Sequence, residues 1–185
     1  MILEHIEPSG VDFEGTIIDI ESIGEFNQQF KYDSRNYINI KQVILGYITK
    51  ENLHIYCATC PHEIEELRLK TPAIMKDLAK PYYAFNCNFE SGVLFHHAGI
   101  KIDFDGELQG VAFERKKDAI LQLRIPNYDD PFFDIGFMCI KAWNSQDFKK
   151  AVAHNRACLL KERDILVKRG HKEPDKVIFV PCKTM

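Results

Sequence analysis

Several side chains in this chain have the types and spacing that divalent-metal chemistry needs. In Thr16-Ile17-Ile18-Asp19-Ile20-Glu21-Ser22, two acids lie two residues apart in a β-branched run. A strand therefore presents both carboxylates on one face. Such a pair beside isoleucines is costly to bury unless something cationic neutralises it, and a hard ion such as Mg²⁺ takes oxygen ligands of this kind. The plainer account is an edge strand with a solvated polar face. Phe85-Asn86-Cys87-Asn88-Phe89-Glu90 reads as a strand running into a helix, with Glu90 in the first turn, where the helix dipole favours an acid in any case. His154, Cys158 and Glu162 fall at i, i+4 and i+8, on one face of a late helix. Taken singly, His154 also reads as a core or surface histidine and Cys158 as a small buried hydrophobe.

The elements that must carry these groups follow from the pattern of the chain. Residues 1–15 read as a lead-in, and strands are predicted over 16–22, 43–48 and 53–57, most simply an antiparallel meander, with 23–39 as a long polar connection. Pro61 opens a helix over 62–69; Pro72 interrupts it, and a second helical piece covers 73–79. An aromatic strand is predicted over 82–86, then a helix over 89–97 with Asn88 as its N-cap and Gly99 as its stop. Residues 100–113 suggest a hairpin around Asp105-Gly106, and 118–123 a short helix after Arg115-Lys116-Lys117. Phe132 to Trp143 is an apolar segment holding Asp134. A long helix runs from Asp147 through Leu166 to Gly170, and Val177-Ile178-Phe179-Val180 suggests an edge strand. The order β-β-β-α-β-α points to an α/β fold, a mixed sheet covered by helices.

Composition narrows the function classes. At 185 residues and 45% hydrophobic, the chain suits a single domain over 1–185. No apolar run approaches the roughly 20 residues of a membrane span, and the acidic N-terminus lacks a signal peptide's layout. Six scattered cysteines favour reduced thiols, so a cytoplasmic protein is expected. A net charge of −3 argues against an overtly basic nucleic-acid binder. The charge is uneven, however: residues 149–185 carry 10 Lys/Arg against 4 Asp/Glu, and the remainder 14 against 23, or +6 against −9. This suggests an acidic site beside a basic flank, or simply a solvated helix. Cys57-x-x-Cys60-Pro61-His62 invites a zinc or redox reading, yet no second ligand pair is evident and three strands precede it where a thioredoxin-like unit would not have them. His96-His97 reads as surface, Cys158 as a nucleophile with His154 lacks an orienting third group, and no phosphate-cradling glycine loop occurs.

An Asp-x-Glu on the first of three meander strands, an Asn-x-x-Phe-acid entering a helix, and a late Trp…His-Asn helix together resemble the ribonuclease H-like superfamily. More narrowly, they resemble its 3′→5′ exonucleases with an Asp-Glu-Asp-Asp quartet. The resemblance covers about 16–166 and implies a mixed five-stranded sheet, an antiparallel meander plus parallel strands, with helices on both faces. It makes Asp19 and Glu21 the first motif, Glu90 the second, and Trp143 to Leu159 the third, with His154 as the residue that orients or deprotonates water. Asp134 falls where the family has an Asp-apolar segment. Asn86 and Asn155 fall at substrate-binding positions. The third motif's acid is replaced by Cys158, a poor ligand for a hard ion, and Glu162 one turn on is the carboxylate that could compensate. The implied ions are Mg²⁺ or Mn²⁺, two of them about 3.5–4 Å apart in such sites. The implied substrate is the 3′ end of single-stranded DNA or RNA, with the 149–172 flank and aromatic loops holding it. The alternative is a weakened relative that binds nucleic acid or a protein without cutting.

Overall fold

Isoleucines and acids alternate along Thr16–Ile23, and this strand lies inside the sheet with both faces covered. The computed structural model describes residues 1–181. Its strands are β1 (Leu3–Pro8), β2 (Thr16–Ile23), β3 (Lys41–Ile48), β4 (Asn52–Cys57), β5 (Tyr82–Ala84) and β6 (Gly106–Glu107), in the order β1-β4-β3-β2-β5-β6. β1, β4, β3 and β2 pair antiparallel, whereas β2, β5 and β6 pair parallel. The fold is α/β with a six-stranded mixed sheet.

Three of the expected elements take a different form. The lead-in contains an edge strand: β1 pairs with β4 from Leu3↔Cys57 to Pro8↔Asn52, which makes six strands rather than five. Its exposed Leu3, Glu4 and Ile6 mask the signal, because an edge strand need not carry a clean apolar face. The hairpin at 100–113 is instead β6, two residues pairing parallel to Tyr83 and Ala84. Residues 177–180 form no strand: Ser34 donates its N–H to the Ile178 carbonyl (2.9 Å) and accepts from Val180 N at Oγ (2.9 Å), and one serine in a tight turn cannot propagate a ladder.

Helices cover both faces of the sheet. Asp19 and Glu21 pair with Gly46 and Ile44 of β3, and this face meets the last helix, α5 (Phe148–Arg169). A Cβ on Gly46 would sit 2.1 Å from Asn155 Oδ1, so the glycine is what lets α5 approach. A bulge between Glu21 and Ser22 turns Gln42 to the opposite face, where Thr71 of α1 (Pro61–Asp77) donates to its Oε1 (3.4 Å). Pro72 lies inside α1 without ending it: Ile64, Leu67, Thr71 and Met75 stay buried at helical spacing, and that packing outweighs one missing hydrogen bond. Asn86, not Asn88, caps α2 (Cys87–Val93), which continues as a π turn over Leu94–Ala98 to left-handed Gly99. α3 (Lys116–Leu123) and α4 (Gly136–Asn144) complete the layers. Among the described residues no helix is long and apolar enough to cross a membrane.

Candidate functional site

Four elements converge on a cleft of about 330 Å³. β2 contributes Asp19 and Glu21, the first turn of α2 Glu90, the start of α3 Lys116, and α5 His154 and Cys158, with Asn155 and Glu162 of α5 fully buried behind them. Asp19, only 5% exposed, accepts from Asn155 Nδ2 (2.6 Å) and from Lys116 Nζ (3.1 Å). The same ammonium lies 2.5 Å from Glu162 Oε1. The solvated-edge account of Asp19 is thereby excluded, because β2 is interior and its carboxylate is buried against a fixed cation.

The charges here do not balance. Glu90 and Glu162 are buried, yet Glu90 Oε2 and both Glu162 oxygens have no well-aligned hydrogen-bond donor among the described residues. Burial, reinforced by Asp19 and Glu162, holds the Glu90 carboxyl well above the usual carboxylate range. Burial also raises Glu162, with Asp19 adding to the effect and Lys116 opposing it. Lys116 is held above its ordinary value: Asp19, Cys158 and Glu162 outweigh the desolvation that would lower it. Three acids against one ammonium leave the cluster at −2 when all are ionised, the charge one divalent cation neutralises.

A second network positions His154. Asp130, 1% exposed, accepts from His154 Nδ1 (2.8 Å), Lys161 Nζ (2.8 Å), Phe132 N (2.9 Å) and Asp134 N (2.9 Å). These donors hold the Asp130 carboxyl below its ordinary value despite burial. The loop around it is bent by left-handed residues, Tyr128 and Asp129 on one side and Phe133 and Asp134 on the other. Each costs on the order of 1 kcal/mol or more, and four hydrogen bonds to one carboxylate sustain the strain. Asp134 joins the network through Lys161 Nζ (2.7 Å) and lines the cleft.

The other face of His154 meets Glu21 and Cys158. Nε2 lies 3.6 Å from Glu21 Oε1 and 3.7 Å from Cys158 Sγ, and one ligand atom from each residue falls within 4.8 Å of the others. Buried Cys139 also contacts Glu21. Burial pushes Glu21 up to about 7, Asp19 adding to the effect and His154 opposing it. Burial works against a charged His154, but Cys158, Glu21 and Asp130 together hold the ring well above the ordinary imidazole range. Nδ1 is thus turned to Asp130, and Nε2 is the ring atom that faces Glu21 and Cys158.

Asn155 is fully buried and donates to Asp19 Oδ2 (2.6 Å), so its amide holds that carboxylate in place. Asn86 lies exposed at the cleft and caps α2 through Phe89 N (3.4 Å). The basic flank is largely spent on internal pairs: Arg156 to Glu7, Lys161 to Asp130, Arg163 to the Ser9 carbonyl, Arg169 to Glu114 and Lys172 to Glu107. The charge asymmetry therefore records α5 and the residues just after it being tied to acids of β1, β6 and two loops, while Lys149 and Lys150 remain exposed. Of the aromatics, Phe26 lines the cleft and packs edge-on with Tyr37 and Phe89. His97 is buried and accepts from Gln42 N (3.3 Å), and His96 pairs with Ser34 Oγ (3.0 Å), so neither is a plain surface residue. The five described cysteines are unpaired, Cys182 lies outside the described residues, and Cys57 and Cys60 belong to no metal-ligating group among those described.

Sequence reading missed Lys116, Asp130 and Lys161. Lys116 sat in a basic triplet with no feature distinguishing it from Arg115 and Lys117, and Asp130 in an Asn/Asp loop between two prolines. Only the long-range packing of α3 and of that loop against α5 singles them out. Comparison with protein-family models, with curated proteins and with solved structures finds no match to this chain.

Proposed function

We propose that the chain is a ribonuclease H-like, metal-dependent nuclease that hydrolyses phosphodiester bonds at the 3′ end of single-stranded DNA or RNA. The observation that carries the reading is the buried Glu90 carboxyl, whose Oε2 has no hydrogen-bond partner among the described residues and which lines the same cleft as Asp19 and Glu21. An orphaned buried carboxylate is costly, and a hard divalent ion among oxygen donors removes that cost. Mg²⁺ or Mn²⁺ suits carboxylate oxygens of this kind: Asp19, Glu21 and Glu90 line the cleft, and Glu162 lies behind Lys116 on α5. Bound there, such an ion lowers the pKa of an attacking water and stabilises the leaving 3′ oxygen. The chain's own residues supply the rest: Asn155 aims Asp19, Asp130 aims His154, and the His154 ring faces the cleft where a phosphate would lie. Phe26 and Phe89 offer ring edges and faces to a base. A mixed α/β sheet with antiparallel strands on one side of β2 and parallel strands on the other supports the reading, with the acid pair on an interior strand.

A second reading has its own observation. Glu21, His154 and Cys158 form an oxygen, nitrogen and sulfur set that suits zinc better than Mg²⁺. In that case the ion locks α5 to β2 and the domain binds nucleic acid or a protein without cutting. Labelled single-stranded DNA and RNA, incubated with Mg²⁺ and with Mn²⁺, separate the two. Stepwise 3′ shortening that is lost in Asp19→Ala supports the nuclease, and absence of cleavage under every condition overturns it. One zinc per purified chain, lost in Cys158→Ser, together with salt-sensitive binding and no cleavage, establishes the second reading.

A further inference from the structure

We propose that Lys116 is a built-in cation that takes one of the two metal positions, so that the cluster binds a single divalent ion beside it. The inference rests on reading the cluster as a metal site. Lys116 Nζ lies 3.1 Å from Asp19 Oδ1 and 2.5 Å from Glu162 Oε1, between the two carboxylates that a bridging ion would share. The geometry sets the number of ions: the ammonium already fills the space between Asp19 and Glu162, and the unpartnered side is that of Glu90 Oε2. With Asp19, Glu90 and Glu162 all ionised, Lys116 leaves the cluster at −2, which one divalent ion neutralises.

The lysine is held in place. Its side chain is 18% exposed, its ammonium stands 5.6 Å from the centre of the Phe85 ring, and its backbone opens α3, whose Ala119 and Ile120 are buried in the core. A cation at a helix N-terminus opposes the dipole, so its position there requires the carboxylates that surround it. The flexible stem delivers a point charge with three donors, which can neutralise and orient but cannot act as a Lewis acid. Glu90 Oε2 has no partner among the described residues and marks the side on which the ion is taken.

Mn²⁺ binding to the full chain, counted by electron paramagnetic resonance, tests this without reference to activity. The expected result is one ion per chain in the wild type and in Lys116→Arg, and two in Lys116→Met. Two ions in the wild type, or the same non-zero number in wild type and Lys116→Met, overturns the inference while leaving the metal reading intact. No ion in any of the three overturns both. A measurement that needs no variant uses ¹⁵N-lysine NMR: the protected Lys116 ammonium signal persists at saturating Mg²⁺, whereas its loss shows that the ion displaces it and refutes the proposal.

Discussion

Replacing Gly46 by alanine perturbs the site through one methyl group. The Gly46 backbone accepts any residue, so only space matters, and the new Cβ meets Asn155 Oδ1 at 2.1 Å and Leu159 Cδ1 at 2.8 Å. Ordinary contact begins near 3.4 Å, so the amide must retreat by about 1.3 Å (3.4 − 2.1). That breaks its 2.6 Å bond to Asp19, a hydrogen bond to a charged group worth about 1.5–3 kcal/mol. Overpacking adds about 1–3 kcal/mol, and the lost flexibility of glycine in the unfolded chain returns about 0.5–1 kcal/mol. The net destabilisation is about 2–5 kcal/mol, or a Tm about 4–20 °C lower for a chain of this size. Circular dichroism melts of Gly46→Ala, Asn155→Ala and the double variant read both the size and the cause. Because the two residues collide, the double variant is less destabilised than the sum of the singles. A Tm within 2 °C of wild type, or strict additivity, refutes the argument that Gly46 exists to seat Asn155 on Asp19.

The remaining predictions address charge and packing around the same site. Lys161→Met removes the fully buried cation shared by Asp130 and Asp134 and lowers stability by about 3–5 kcal/mol in denaturant titrations. A loss under 1 kcal/mol shows that the pair is not what holds the loop. Glu21 has its folded pKa raised to about 7 from 4.5, so its contribution to stability is present below pH 4.5 and is lost as pH rises to about 7. Glu21→Gln therefore gains on wild type by roughly 3 kcal/mol at pH 8 and by little at pH 4.5, and a gain that does not vary with pH refutes the assignment. Gly92→Ala drives a Cβ to 2.1 Å from the Tyr37 ring and lowers Tm by about 2–8 °C, against the gain in helix propensity. An unchanged near-ultraviolet spectrum shows that the Phe26–Tyr37–Phe89 cluster did not move.

The local pattern of the chain determined much of what can be read here. β-branched runs marked β2, β3 and β4, and Asp147 and Gly170 bracketed α5 as cap and stop, because strand periodicity and helix ends are short-range properties. Asp19, Glu21, Glu90, His154, Cys158 and Glu162 were identifiable as candidates because each sits at a readable place on its own element. Tertiary structure decided what they do. Whether Asp19 faces water or a lysine depends on β2 lying between β3 and β5, a pairing over distances that periodicity does not encode. Lys116 enters the cluster from almost one hundred residues away, and Asp130 reaches His154 from a loop whose left-handed turns no local preference announces. The basic flank was legible as charge, but its partners were not: ion pairs depend on which side chains meet, and burial turned an apparent nucleic-acid surface into the fastening of α5. Residue type and spacing thus marked the acids, and only packing supplied the cation among them.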